Sequence, residues 1–157
     1  MNRRTAMTTA ATLALTGRAA TVTAANVNVD AAEDDAAVRR LLDDFAAAWN
    51  RHDLDGLMAC MTPDGVFEAS AGTEVTGTRH VGPTAVRAAY AAVFTTYADA
   101  RWSGPRHFIA GDRAVTEWTF TGTTRDGTRV EVNGCDVFTL KGGKIFVKNS
   151  YRKQRST

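Results

Sequence analysis

DGTRVEVNGCDVFTLKGGKIFVKNSY, residues 126–151, decides the fold class. Its two turns, Asp126-Gly127 and Gly142-Gly143, bound runs of alternating apolar residues, the pattern of antiparallel strands joined by tight hairpins. In the first run Val130, Val132, Gly134, Asp136 and Phe138 share one face, apolar except for Asp136. A carboxylate in such a row must be hydrogen-bonded, neutralised or in contact with pocket water. In the second run the alternation sends Lys144, Phe146 and Lys148 outward and sets Ile145, Val147, Asn149 and Tyr151 inward.

Upstream, Gly111-Asp112 separates ARWSGPRHFIA (100–110) from RAVTEWTFTGTT (113–124), so three consecutive hairpins make an antiparallel meander over 99–151. Gly104-Pro105 marks a bulge or an edge irregularity. Parity turns His107, Ile109, Trp118 and Phe120 inward and Arg106, Phe108 and Glu117 outward. Helices precede the meander. In AEDDAAVRRLLDDFAAAWNRHD (32–53), Val38, Leu41, Leu42, Phe45 and Trp49 recur at spacings of three and four, and acids in the first turn suit the helix dipole. Asp53 caps LDGLMACM (54–61), which Pro63 closes off. GVFEAS (65–70) reads as a short strand, and AGTEVTGTRHVG (71–82) is long enough for a second. Pro83 opens a third helix that buries Val86, Tyr90, Val93, Phe94 and Tyr97. Helices collected ahead of a meander give an α+β fold, not alternating βαβ units.

A chain of 157 residues with 44% hydrophobic content buries one ordinary core, so 30–157 is expected to be a single domain with a basic C-terminal tail. The formal charge of +2 gives no reason to invoke nucleic acid, and no ladder of exposed aromatics accompanies the terminal lysines and arginines. Cys60 and Cys135 lack metal-ligand spacing and disulfide density, and are read as small buried hydrophobes. A structural zinc site is not expected, while a mixed histidine–carboxylate metal site stays open. Residues 1–29 form either a flexible leader or an export signal, because MNRRTAMTTAATLAL pairs Arg3 and Arg4 with a mild apolar segment interrupted at Arg18. A cytoplasmic location is expected, with twin-arginine export as the alternative. Nothing approaches the roughly 18 apolar residues of a transmembrane helix.

FAAAWNRHDLDGLMACMTPDGVFEAS (45–70), VGPTAVRAAY (81–90) and GCDVFTLKGGKI (134–145) resemble the nuclear-transport-factor-2-like superfamily, over about 33–152. That group includes ketosteroid isomerases, scytalone dehydratase, limonene epoxide hydrolase and SnoaL-type polyketide cyclases. The resemblance implies a cone-shaped α+β barrel, a strongly curved antiparallel sheet wrapped around the three helices. It also implies a pocket between sheet and helices, and a homodimer through the outer sheet face, where Val115, Val137 and Phe146 supply an apolar patch. In the isomerase branch the oxyanion tyrosine falls at Phe45 and the proton-shuttling aspartate at Ala69, beside Glu68. Only the second oxyanion acid is matched, at Asp136. Enolisation needs base and oxyanion donors together, which argues against a ketosteroid isomerase. In the dehydratase branch the strand histidine falls at His107, in RHFIAG, and the tyrosine–aspartate pair at Trp49-Asn50.

His107 and Asp136 are therefore the candidate catalytic pair, the histidine able to move a proton near neutral pH. Each has a structural alternative: a histidine bonded within the sheet, and a carboxylate anchored by an ion pair. Phe45, Trp49, Asn50, Tyr90, Phe94, Trp118, Phe138, Asn149 and Tyr151 are the candidate pocket residues, and their bulk implies an apolar ligand. His80 is read as an exposed loop residue and His52 as a helix-end cap. The expected function is lyase or isomerase acid–base chemistry, less readily epoxide hydrolysis, on a small hydrophobic or cyclic compound without an organic cofactor. The alternative is a non-catalytic binding protein for such a ligand.

Overall fold

The computed structural model describes residues 24–155. In chain order these form α1 (Ala24–Asn50), α2 (Leu54–Cys60), β1 (Met61–Glu68), β2 (Arg79–Val81) and α3 (Pro83–Thr96). The meander follows as β3 (Arg101–Ala110), β4 (Arg113–Thr123), β5 (Arg129–Lys141) and β6 (Lys144–Arg152). Most of the expected leader, residues 1–23, lies outside the described residues; 24–29 belong to α1. Because α1 begins at Ala24 and not at 32, Glu33, Asp34 and Asp35 do not occupy its first turn.

All six strands form one sheet in the order β2-β1-β6-β5-β4-β3. The meander is antiparallel throughout, but β1 runs parallel to β6 and antiparallel to β2. The sheet is thus mixed and open, with β2 and β3 as its two edges, and this corrects the expected cone-shaped barrel of a strongly curved antiparallel sheet. Turn residues dictate only local pairing. The β1–β6 junction joins Met61 to Ile145 and Phe67 to Lys148, a non-local contact that no turn signal reports. Closure would also need the two edges to pair, and β2 is only three residues long.

Local chemistry explains the irregularities. Gly142 and Gly143 both have positive φ (57° and 71°), as the two-residue turn between β5 and β6 requires. The register of β3 shifts between Ser103 and Arg106, at Gly104-Pro105, on an edge strand that tolerates proline. In β1 a shift between Met61 and Val66 accommodates Pro63.

A third shift, in β6, changes the face of every later residue. Leu140 pairs with Ile145, but Thr139 pairs with Val147, which leaves Phe146 as the extra residue. Beyond it Lys148 and Ser150 point to the core while Asn149 and Tyr151 turn to the outer face, with Tyr151 53% exposed. This reverses the alternation read from sequence, which set Asn149 and Tyr151 inward and Lys148 outward.

On the inner face of the sheet, α1 and α3 bury a core that includes Leu42, Phe45, Trp49, Leu57, Tyr90 and Ile145. Phe45 meets Trp49 and Phe138 edge-on at centroid distances of 6.1 and 6.0 Å, and Trp49 meets Tyr90 at 4.7 Å. Tyr90 is fully buried, and that burial holds its phenol well above its ordinary pKa. Ile145 is fully buried where β1, β5 and β6 meet. Replacing it with alanine is expected to lower unfolding free energy by about 2–5 kcal/mol, from lost transfer and the cavity left behind. Equilibrium urea denaturation measures this, and a loss below about 1 kcal/mol would contradict the packing of that junction.

Candidate functional site

Cross-strand register arranges the inner face into rows. His107, Thr116, Asp136 and Ser150 are successive partners across β3, β4, β5 and β6. The adjacent row holds Trp118, Gly134 and Arg152, and on the other side Phe138 pairs with Lys148. A polar row thus crosses an otherwise apolar face.

Asp136 and Ser150 from this row and Lys148 from the row beside it form a buried cluster, each less than a tenth exposed. The Lys148 Nζ donates to Asp136 Oδ1 at 2.7 Å and to Ser150 Oγ at 2.5 Å, and the Ser150 hydroxyl donates to Asp136 Oδ1 at 2.6 Å. The Trp118 indole N–H donates to Asp136 Oδ2 at 3.0 Å. Both carboxylate oxygens are therefore engaged, which meets the requirement that the sequence posed. An ammonium carries three N–H donors, and among the described residues two have acceptors. Its charge also lies 4.9 Å from the Phe67 ring centroid and 5.6 Å from that of Trp49.

Lys148 and Ser150 line a cavity of about 340 Å³ between the sheet and α3. Its walls include Trp49, Phe67, Trp102, Trp118 and Phe120, with Ala89 and Ala92 from α3 opposite. His80, from β2, also lines it and stacks on Phe67 at 5.7 Å; Arg152 lines its far end. Asp136 lies behind Trp118 in a separate void of about 20 Å³, bounded also by Phe45, Thr116 and Phe138. Trp49 borders both spaces, and its buried indole N–H has no acceptor among the described residues.

His107 is placed elsewhere. Its Nδ1 is 2.7 Å from Thr116 Oγ1 and its Nε2 3.1 Å from Asp43 Oδ1, so the ring ties β3 to β4 and to α1. Its side chain is 4% exposed, and it lines neither the cavity nor the void. Asn50 clamps the end of α1 to β3, donating to the Trp102 carbonyl and accepting from the Trp102 N–H, both at 2.8 Å. His52, with φ 55°, bonds the Ala100 carbonyl at 3.0 Å and stacks on Phe94 at 4.2 Å. Tyr90 and Phe94 pack in the core behind the cavity, while Asn149 and Tyr151 bond each other on the outer face.

Sequence reasoning reached Asp136 and Trp118 through strand parity and Trp49 through the apolar stripe of α1, and missed Lys148, Ser150 and His80. The bulge hid the first two, and no turn residue marks it. His80 looked like part of a glycine-rich loop, although it occupies a three-residue edge strand paired with Phe67. Cys60 and Cys135 are free thiols whose pKa values burial raises. Among the described residues no three His, Cys, Asp or Glu side chains are grouped to hold a metal ion.

Gly134 sets the position of Trp118. A Cβ there would lie 2.3 Å from the indole Cη2 and 2.4 Å from the Tyr151 carbonyl oxygen. Gly134→Ala is expected to displace the indole, break its bond to Asp136 and cost about 1–3 kcal/mol of stability. Tryptophan emission and thermal melting read the two effects. An unchanged spectrum and melting temperature would show that the strands accommodate the methyl without moving Trp118.

No curated protein matches the sequence. The fold is shared with a candidate polyketide cyclase from Xanthomonas campestris, with a TM-score of 0.68, 18% identity, and coverage of 75% of this chain and 91% of that one. A protein of ketosteroid isomerase-like fold from Catenulispora acidiphila, solved with trimethylamine, gives 0.63 at 19% identity, covering 71% and 83%. TsrD from Streptomyces laurentii gives 0.62 at 25% identity, covering 75% and 89%. These likenesses establish a nuclear-transport-factor-2-like, ketosteroid isomerase-like fold. The model of the SnoaL-like domain matches residues 38–147, from the apolar stripe of α1 to the bulge of β6, and the chain belongs to that family.

Proposed function

We propose that this SnoaL-like protein binds a small hydrophobic or cyclic compound in the 340 Å³ cavity and performs lyase or isomerase acid–base chemistry on it. The observation that carries the reading is a buried lysine in an aromatic-walled cavity, with one N–H donor that has no acceptor among the described residues. An oxygen of the bound compound, carbonyl or departing hydroxyl, accepts from Lys148 Nζ, and the charge that develops on it is stabilised where water is largely displaced. Asp136 and Ser150 hold the ammonium in place. His80, on the same cavity wall, takes or returns the proton. Similarity to a candidate polyketide cyclase fits a cyclic substrate. In this reading His107 acts as a strut, since Thr116 and Asp43 occupy its two ring nitrogens.

The test begins with thermal-shift screening of cyclic ketones, epoxides and hydroxylated aromatics, followed by product assays on the hits. His80→Gln is expected to lower turnover by about 10²-fold with the melting temperature unchanged. His107→Gln is expected to lower the melting temperature and leave turnover per folded molecule near that of the parent. The reverse pattern would return the proton transfer to His107. Saturable binding without turnover in every reaction class would make the protein a binding module.

We also propose a homodimer through the outer sheet face. Phe108, 57% exposed, pairs with Val115, which pairs with Val137, so an apolar row crosses that face. Light scattering is expected to give about twice the 16.9 kDa chain mass, and Val115→Glu to reduce it to one chain. A monomeric parent at micromolar concentration would contradict this.

A further inference from the structure

We infer that the ligand of the cavity is a flat anion, a one- or two-ring compound with an oxygen acceptor at one end and a carboxylate at the other. The inference rests on the small-molecule reading above and adds the charge and polarity of the ligand. Three basic side chains line the cavity: Lys148, Arg152 and His80. Among the described residues no carboxylate does. Lys148 is already balanced by Asp136 at 2.7 Å, so it offers a hydrogen bond and little uncompensated charge. Arg152 has no carboxylate partner among the described residues and supplies the uncompensated positive charge of the cavity.

The two donors are also spaced. Lys148 and Arg152 lie four residues apart on one face of β6, roughly 13 Å between Cα atoms for an extended strand, and both side chains are long. A rigid aromatic acid of about two rings spans the gap once those side chains lean inward. Its ring faces meet Phe67, Trp102 and Trp118, and the cavity volume is at the small end of ligand sites, which fits one such molecule. Arg152 presents a fork of parallel N–H donors suited to a carboxylate, a geometry that a lysine at this end would not offer.

A matched pair of probes tests the charge separately from the cavity: 6-hydroxy-2-naphthoate and its methyl ester, titrated calorimetrically into the full-length protein. The two share the ring and the oxygen acceptor and differ only in the anionic end. At low ionic strength the acid is expected to bind about fivefold or more tightly than the ester, a modest margin because Arg152 is solvent-exposed. The margin should shrink as salt screens the pair. Arg152→Gln should abolish the preference for the acid over the ester. Equal affinities for the parent protein, or a preference that survives Arg152→Gln, would overturn the inference. Ester binding without acid preference would remove only the charge assignment and leave the cavity reading standing. Failure of both probes to bind would remove both.

Discussion

The buried ion pair of Lys148 with Asp136 is the constraint around which the rest is organised. Removing two charges from water costs several kcal/mol per ion, and close contact recovers this only when the remaining hydrogen-bonding capacity is also met. Here Ser150 and Trp118 complete the carboxylate, and the pair lies beside two aromatic rings. Apolar residues of similar volume would serve stability as well or better, so the pair is not explained by stability alone. What it supplies is a donor fixed in position at a cavity wall. The bulge at Phe146 is the local means, because without the extra residue the β6 alternation would send Lys148 and Ser150 to the other face.

That dependence explains what the sequence disclosed. The three hairpins, the stripe on α1, the cap at Asp53 and the proline start of α3 all follow from neighbours within a few residues, and each was legible. So was the inward facing of Asp136, which lies in a strand with regular alternation. The parallel β1–β6 junction was not, because nothing near Met61 or Ile145 records a partner more than eighty positions away. The open sheet follows from that junction together with the shortness of β2. Lys148 was hidden for a different reason. A lysine in a strand is ordinarily a solvent-facing residue, and a one-residue slip is invisible to a period-two reading.

Family membership constrains the scaffold more than the chemistry. The aspartate that resembles an isomerase oxyanion acid occupies the expected strand, yet its oxygens are already bonded to a lysine, a serine and an indole. The histidine that resembles a dehydratase base occupies the expected strand too, and is bonded between a threonine and an aspartate outside the cavity. In both cases the neighbours, and not the place in the strand, decide what the group bonds.

Trp118 shows how these neighbours are coupled. Its indole lies across Gly134, which has no side chain to obstruct it, and this lets the N–H reach Asp136 on the neighbouring strand. The same residue lines both the void at Asp136 and the cavity at Lys148. The carboxylate and the ammonium that it balances thus border different spaces, Asp136 the void and Lys148 the cavity. Such an arrangement buries a charged donor at the cavity wall while its counter-ion stays out of the cavity lining. A pair divided in this way presents the cavity with an N–H donor, although with its charges 2.7 Å apart it brings little net charge to that wall.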